Sequence, residues 1–171
     1  MAYRYYSTLR PLMVGGIPFP KDPGESITTI VNFEEGRTYC KDIDRPAWGY
    51  IEYTAPLDQQ QVSDYELMQA NPELPVIPCV DGDVVGGDEY YCWLGSWGES
   101  AVQEFIIGKE RTYYREEDIC EMNDVLYERY DPELVDNMTD EETRAAYNAL
   151  PWKKAIFVNV HQYEEEPNAE I

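Results

Sequence analysis

Glu117, Glu121, Asp124 and Glu128 are the residues whose spacing points most directly to a chemistry. At 100° per residue they fall within about 60° of one another on a helix. A rise of about 1.5 Å per residue sets them roughly 4.5–6 Å apart along the axis. A nucleic-acid strand carries a phosphate about every 3.4 Å of axis, along a longer backbone path. Such a stripe therefore imitates part of a phosphate row and pairs with the Lys and Arg side chains that normally hold phosphates. Glu116, Asp131, Asp140 and Glu141 extend the negative field, as do Asp118 and Glu142. An ordinary solvated helix face looks the same, and the residues alone leave both readings open.

Other chemistries find no residue set. Nucleophilic catalysis needs a base beside the nucleophile, and the only histidine, His161, precedes an acidic tail. Ser100 lies in Gly98-Glu99-Ser100-Ala101, without the second glycine of a nucleophile elbow. Gly82 to Gly87 contains no Gly-Lys-Ser/Thr, so it is not a phosphate loop. Asp81 and Asp83 flank Gly82 as a turn does, without the further oxygen ligands and distal Glu of a calcium loop. No zinc ligand set is present. The expectation is a protein that is not an enzyme and needs no cofactor or metal. With 34 acidic residues, however, pairs of carboxylates arise by chance, and an enzyme built on generic carboxylates stays open.

The elements that must position the stripe come next. Ile119, Met122, Leu126 and Tyr130 share one apolar face, which predicts a helix over 115–130, broken by Pro132. Thr139 with Glu142 is a capping box for a second helix ending near Leu150. Ala155 to Val160 reads as a buried strand, followed by a loose tail from about 161.

Residues 99–114 allow either a helix capped by Ser100 and Gln103 or a strand at Phe105–Ile107 turning at Gly108. Val76–Val80 and Val84–Val85 flank Asp81-Gly82-Asp83 as a hairpin, with Pro78 marking an edge strand. Tyr90, Tyr91, Trp93, Leu94 and Trp97 form an aromatic cluster.

Upstream, Tyr3–Tyr6, Ile27–Phe33 and Ala47–Thr54 read as strands, and Arg37–Cys40 as a partner strand across the Glu35-Gly36 turn. Residues 10–25 form a Pro- and Gly-rich loop. Asp58 caps a short helix from Gln59 to about Leu67, with Val62 and Tyr65 inward. Trp48, Tyr50, Ile51, Ile30 and Val31 are the expected core. The pattern is α+β, with a largely antiparallel sheet and helices segregated to the C-terminal half. Asn71–Pro75 divides a β-rich module, 1–70, from an acidic α+β section, 76–171.

Charge decides the class of partner. The formal net charge is −21. Residues 1–85 hold 6 basic and 13 acidic residues, and residues 86–171 hold 7 and 21. That excess argues against direct binding of nucleic acid or an anionic membrane and favours a basic partner. Apolar residues make up 43% of the chain, enough for a packed core. Residues 1–30 lack a signal-peptide pattern and no stretch reaches membrane-span length, so a cytoplasmic location is expected. Cys40, Cys79, Cys92 and Cys120 are scattered and read as reduced, mostly buried thiols.

One part of the chain has a familiar look. Tyr3-Arg4-Tyr5-Tyr6-Ser7-Thr8, Arg10-Pro11, Ile30-Val31-Asn32-Phe33, Ala47-Trp48-Gly49-Tyr50 and Asp64-Tyr65-Glu66-Leu67 together resemble a small-domain family. That family belongs to mobile genetic elements of gut bacteria, among large polyvalent protein-associated domains. The resemblance covers about residues 3–67 and implies a role in countering host defence. It brings no catalytic residues.

The reading that joins charge and resemblance is an acidic inhibitor. It would occupy the basic groove of a nucleic-acid-handling enzyme, a CRISPR effector or a restriction nuclease, by nucleic-acid mimicry. The alternative is a non-inhibitory scaffold or accessory domain of phage or conjugative biology.

Overall fold

The computed structural model describes residues 2–9, 11, 27–80 and 95–162. The architecture is α+β, as expected from the pattern of elements. The chain forms two compact units: residues 1–101 with 156–171, and residues 102–155. This division differs from the one drawn at Asn71–Pro75. Strands β7 (Gly95–Ile107) and β9 (Lys153–Gln162) have residues in both units.

In the first unit, β5 (Gly49–Tyr53) lies between β1 (Tyr3–Ser7) and β2 (Ile27–Asn32), antiparallel to both. Its strict alternation buries Gly49, Ile51 and Tyr53 on one face. Ile51, Tyr53 and Leu57 form the core, with Tyr5 and Val62 against it. The expected burial of Ile30 fails: it is 51% exposed, because the edge strand β2 turns most of its side chains to solvent. Trp48, Tyr50 and Val31 are only half-buried.

The Arg37–Cys40 segment is also placed differently. β3 (Thr38–Cys40) pairs with β4 (Arg45–Ala47) rather than with β2. The chain turns at Gly36 (φ 77°) and reverses again through Asp44 (φ 52°), so the nearer partner is the strand that follows.

Helix α1 (Gln59–Ala70) starts where expected, with a full capping box between Asp58 and Gln61. It runs one turn further than expected, and its buried residues are Asp64, Met68 and Gln69. Periodicity of apolar residues is blind to this polar face. Gln69 Oε1 accepts the Thr8 and Leu9 amides, each at 3.1 Å, and Asp64 accepts from Ser100 on β7. β6 (Val76–Val80) runs parallel to β9 at the end of the sheet β6-β9-β7-β8, the edge place that Pro78 implies. The 81–85 hairpin residues and the aromatics at 90–94 lie outside the described residues, as do residue 10, residues 12–26 and the tail from 163.

The second unit settles the ambiguity at 99–114 in favour of a strand. β7 ends at Ile107 and pairs with β8 (Thr112–Tyr114) across Gly108. A Cβ on Gly108 would lie 2.6 Å from the Tyr113 ring and 3.0 Å from the Arg111 carbonyl, so only glycine fits this turn. Beyond the hairpin come a short 3-10 helix (Glu117–Glu121), α2 (Met122–Tyr127), α3 (Pro132–Asp136) and α4 (Asp140–Asn148). Pro132 begins α3, capped by Asp131, whereas α2 already ends at Tyr127, short of the proline expected to break it. The core joins Ile106, Tyr113, Val125, Leu126, Val135, Tyr147 and Leu150. Tyr147 donates to the Arg115 carbonyl at 2.8 Å and meets Trp152 edge-on at 5.0 Å.

Candidate acidic interface

The continuous helix expected over 115–130 is replaced by the 3-10 turn and the short α2. Asp118 is the cause. Its carboxylate is buried and accepts the Tyr114 amide at 2.5 Å and Arg111 at 2.9 Å. A side chain that bonds nearby backbone competes with helical geometry, and Asp118 sits at φ −87°, ψ 15°, outside the helical range. The residues after it rotate accordingly. Ile119, expected inward, is 51% exposed, while Val125 and Leu126 are fully buried.

This break redistributes the carboxylates. Glu117 accepts from Gln103 at 2.9 Å, and Glu121 is paired with Arg111. Glu128 caps α2 half-buried, accepting the Lys109 amide at 3.1 Å. Asp124 is exposed on α2 and takes no hydrogen bond or ion pair among the described residues. Arg111 lies over the Tyr113 ring at 4.3 Å, and its pKa is raised by a hydrogen bond with Tyr113 and then by Asp118 and Glu121. The hairpin thus holds much of the row by internal bonds.

The remaining candidates serve as caps or stand in solvent. Asp131 accepts the Glu133 amide at 2.9 Å as an N-cap. Asp140 and Glu141 are exposed in the first turn of α4, where carboxylates oppose the positive end of the helix dipole. Glu142 folds back on Thr139, completing the expected capping box. The Thr139 amide and then its hydroxyl hold that carboxyl below its ordinary range.

Two concave sites gather candidates from different elements. Glu116 and Glu117 line a pocket of about 440 Å³ with Glu104, Tyr114 and Lys154. Glu121, Asp124 and Asp140 line a second, of about 410 Å³, with Asp136 and Thr143. Glu104, Asp136 and Thr143 escaped the sequence reading because they lie on other elements, and helical spacing relates residues of one element only. Asp136 accepts from Tyr127 at 2.6 Å, and that bond, with burial, raises the Tyr127 phenol. No group of three or more His, Cys, Asp or Glu is placed to hold a metal ion among the described residues. No helix among them is long and apolar enough to cross a membrane.

Residues 1–72 match the family Defence against restriction A C-terminal. The match covers somewhat under half of the chain, falls on the β1-β5-β2 sheet, β3, β4 and α1, and includes the segment singled out by resemblance. The candidate carboxylates lie outside it. Comparison with curated proteins and with solved structures returns no match.

Proposed function

We propose that this protein counters host restriction by binding a basic nucleic-acid-handling enzyme through its acidic surface, in the place of nucleic acid. The observation that carries the reading is the match of residues 1–72 to a family named for defence against restriction. The net charge of −21 supplies the physics, since long-range attraction steers such a protein to a cationic groove. A restriction nuclease is the partner this reading favours over a CRISPR effector, because the family name refers to restriction.

The test is inhibition of plasmid cleavage by restriction endonucleases preincubated with the protein, at low and high salt. Asp124, Asp140 and Glu141 are exposed and form no hydrogen bond or ion pair among the described residues. The triple change D124N/D140N/E141Q therefore leaves the fold intact. It should weaken inhibition by roughly 0.2–1 kcal/mol for each lost rim charge. Added salt should weaken the wild type more than the variant. Inhibition that ignores both salt and the triple change would refute the acidic contact.

A further inference from the structure

We infer that the groove between α2, α3 and α4 receives a single lysine or arginine side chain of the protein partner. This rests on the proposed acidic-surface reading and names the seat within it. The groove holds about 410 Å³. Its lining mixes polar and apolar side chains: Met122 and Met138 are half-buried and pack against the core that includes buried Val135. Around the groove stand the carboxylates of Glu121, Asp124, Asp136 and Asp140, drawn from the 3-10 turn and from all three helices. An alkyl stem ending in a cation has that same division, apolar along its length and charged at its head.

Thr143 marks the seat independently of the charges. It is 92% buried on α4 and lines the groove, yet its hydroxyl takes no hydrogen bond among the described residues. A threonine within a helix commonly bonds back to a carbonyl one turn earlier; here the Thr139 carbonyl accepts only the Thr143 amide, at 2.9 Å. Nor is the Thr143 hydroxyl one of the fully sealed, partnerless side-chain atoms among the described residues. Its outlet is the groove it lines. A mostly buried hydroxyl oxygen without a partner, on a residue lining the same groove as four carboxylates, is an acceptor for an ammonium or guanidinium N–H.

A divalent metal fits poorly, because no three carboxylates among the described residues are placed to hold one. Arg144 also lines the groove and forms no ion pair among the described residues. It would repel the incoming cation, so its neutralisation should tighten binding.

The experiment is an NMR titration of the ¹⁵N-labelled protein with a short peptide carrying a central lysine, and with the same peptide acetylated at that lysine. The lysine peptide should shift amides of residues 120–124 and 135–144, and acetylation should abolish the shifts. Thr143→Val removes only an unpartnered hydroxyl, so folding is retained, while affinity should fall about three- to tenfold. Thr143→Ser should restore it, Asp140→Asn should weaken it about two- to fivefold, and Arg144→Gln should tighten it.

Shifts scattered over the acidic surface, equal affinity for the Val, Ser and wild-type proteins, or a stronger response to Ca²⁺ than to the peptide would each overturn the groove assignment. Failure here with salt-sensitive inhibition retained removes the seat and keeps the acidic contact. Loss of that salt dependence removes the acidic contact itself.

Discussion

Replacing Asp64 tests the polar anchor of α1. Three donors converge on one oxygen, Oδ1: the Ser100 amide at 3.0 Å, the Ser100 hydroxyl at 2.7 Å and Gln60 Nε2 at 3.0 Å. Asp64 is 3% exposed, so water replaces these bonds poorly once the carboxylate is gone. A hydrogen bond to a charged group is worth roughly 1.5–3 kcal/mol. Ser100 is only half-buried and recovers part of its hydration, which brings the expected cost of Asp64→Ala to about 3–4 kcal/mol.

Asp64→Asn keeps an oxygen at the Oδ1 position and loses only the charge. It should cost about 1–2 kcal/mol, since neutral bonds have about half the strength. Ser100→Ala should cost about 1.5 kcal/mol, and the double mutant should show a coupling of about 1 kcal/mol, because each change removes the same bond. Urea unfolding at constant m-value is the assay. An Asp64→Ala protein within about 0.5 kcal/mol of wild type would refute the anchor. Equal costs for Ala and Asn would refute the role of the shared oxygen. Ser100 lies beyond the matched segment 1–72, so the same bonds tie this segment to a residue outside it.

The remaining expectations concern aromatics and thiols. Burial raises Tyr147 and Tyr6 from 10.0 to about 12, and raises Tyr65 as well. Below pH 10 these phenols are protonated in both folded and unfolded chains and their contribution is intact; between pH 10 and 12 only the unfolded chain releases protons, so stability should fall across that window. Urea midpoints at about pH 9 and about pH 11 check this, and identical midpoints would contradict it. Trp48→Ala should cost about 2 kcal/mol, less than a fully buried tryptophan, because Trp48 is half-buried against Gly36; thermal melting measures it, and an unchanged midpoint would place the ring outside the packed region. Cys40 and Cys120 are free thiols, and Cys120 is exposed rather than buried as expected; a strong reductant should leave the melting temperature unchanged, and a drop of several degrees would reveal a disulfide.

Local chemistry made several elements legible from the sequence alone. The capping boxes Asp58/Gln61 and Thr139/Glu142 placed the starts of α1 and α4, because a cap is a bond between residues three apart and needs no distant partner. The strand at β5 and the excess of acid were also readable, but the buried face of β5 was not: it carries Gly49, Ile51 and Tyr53 rather than Trp48 and Tyr50. The tertiary structure alone decided the fate of the acidic row. A 3.6-residue period assumes an unbroken helix, and Asp118 turns inward to Arg111 on the neighbouring hairpin and breaks it. Tertiary placement likewise made Asp64 and Gln69 interior residues of α1, since their partners, Ser100, Ser7, Thr8 and Leu9, lie 36 or more positions away. It also gathered Asp124, Asp136, Asp140 and Thr143 around one groove. Such a site depends on how three helices fold back on one another, and spacing along a single helix carries no record of it.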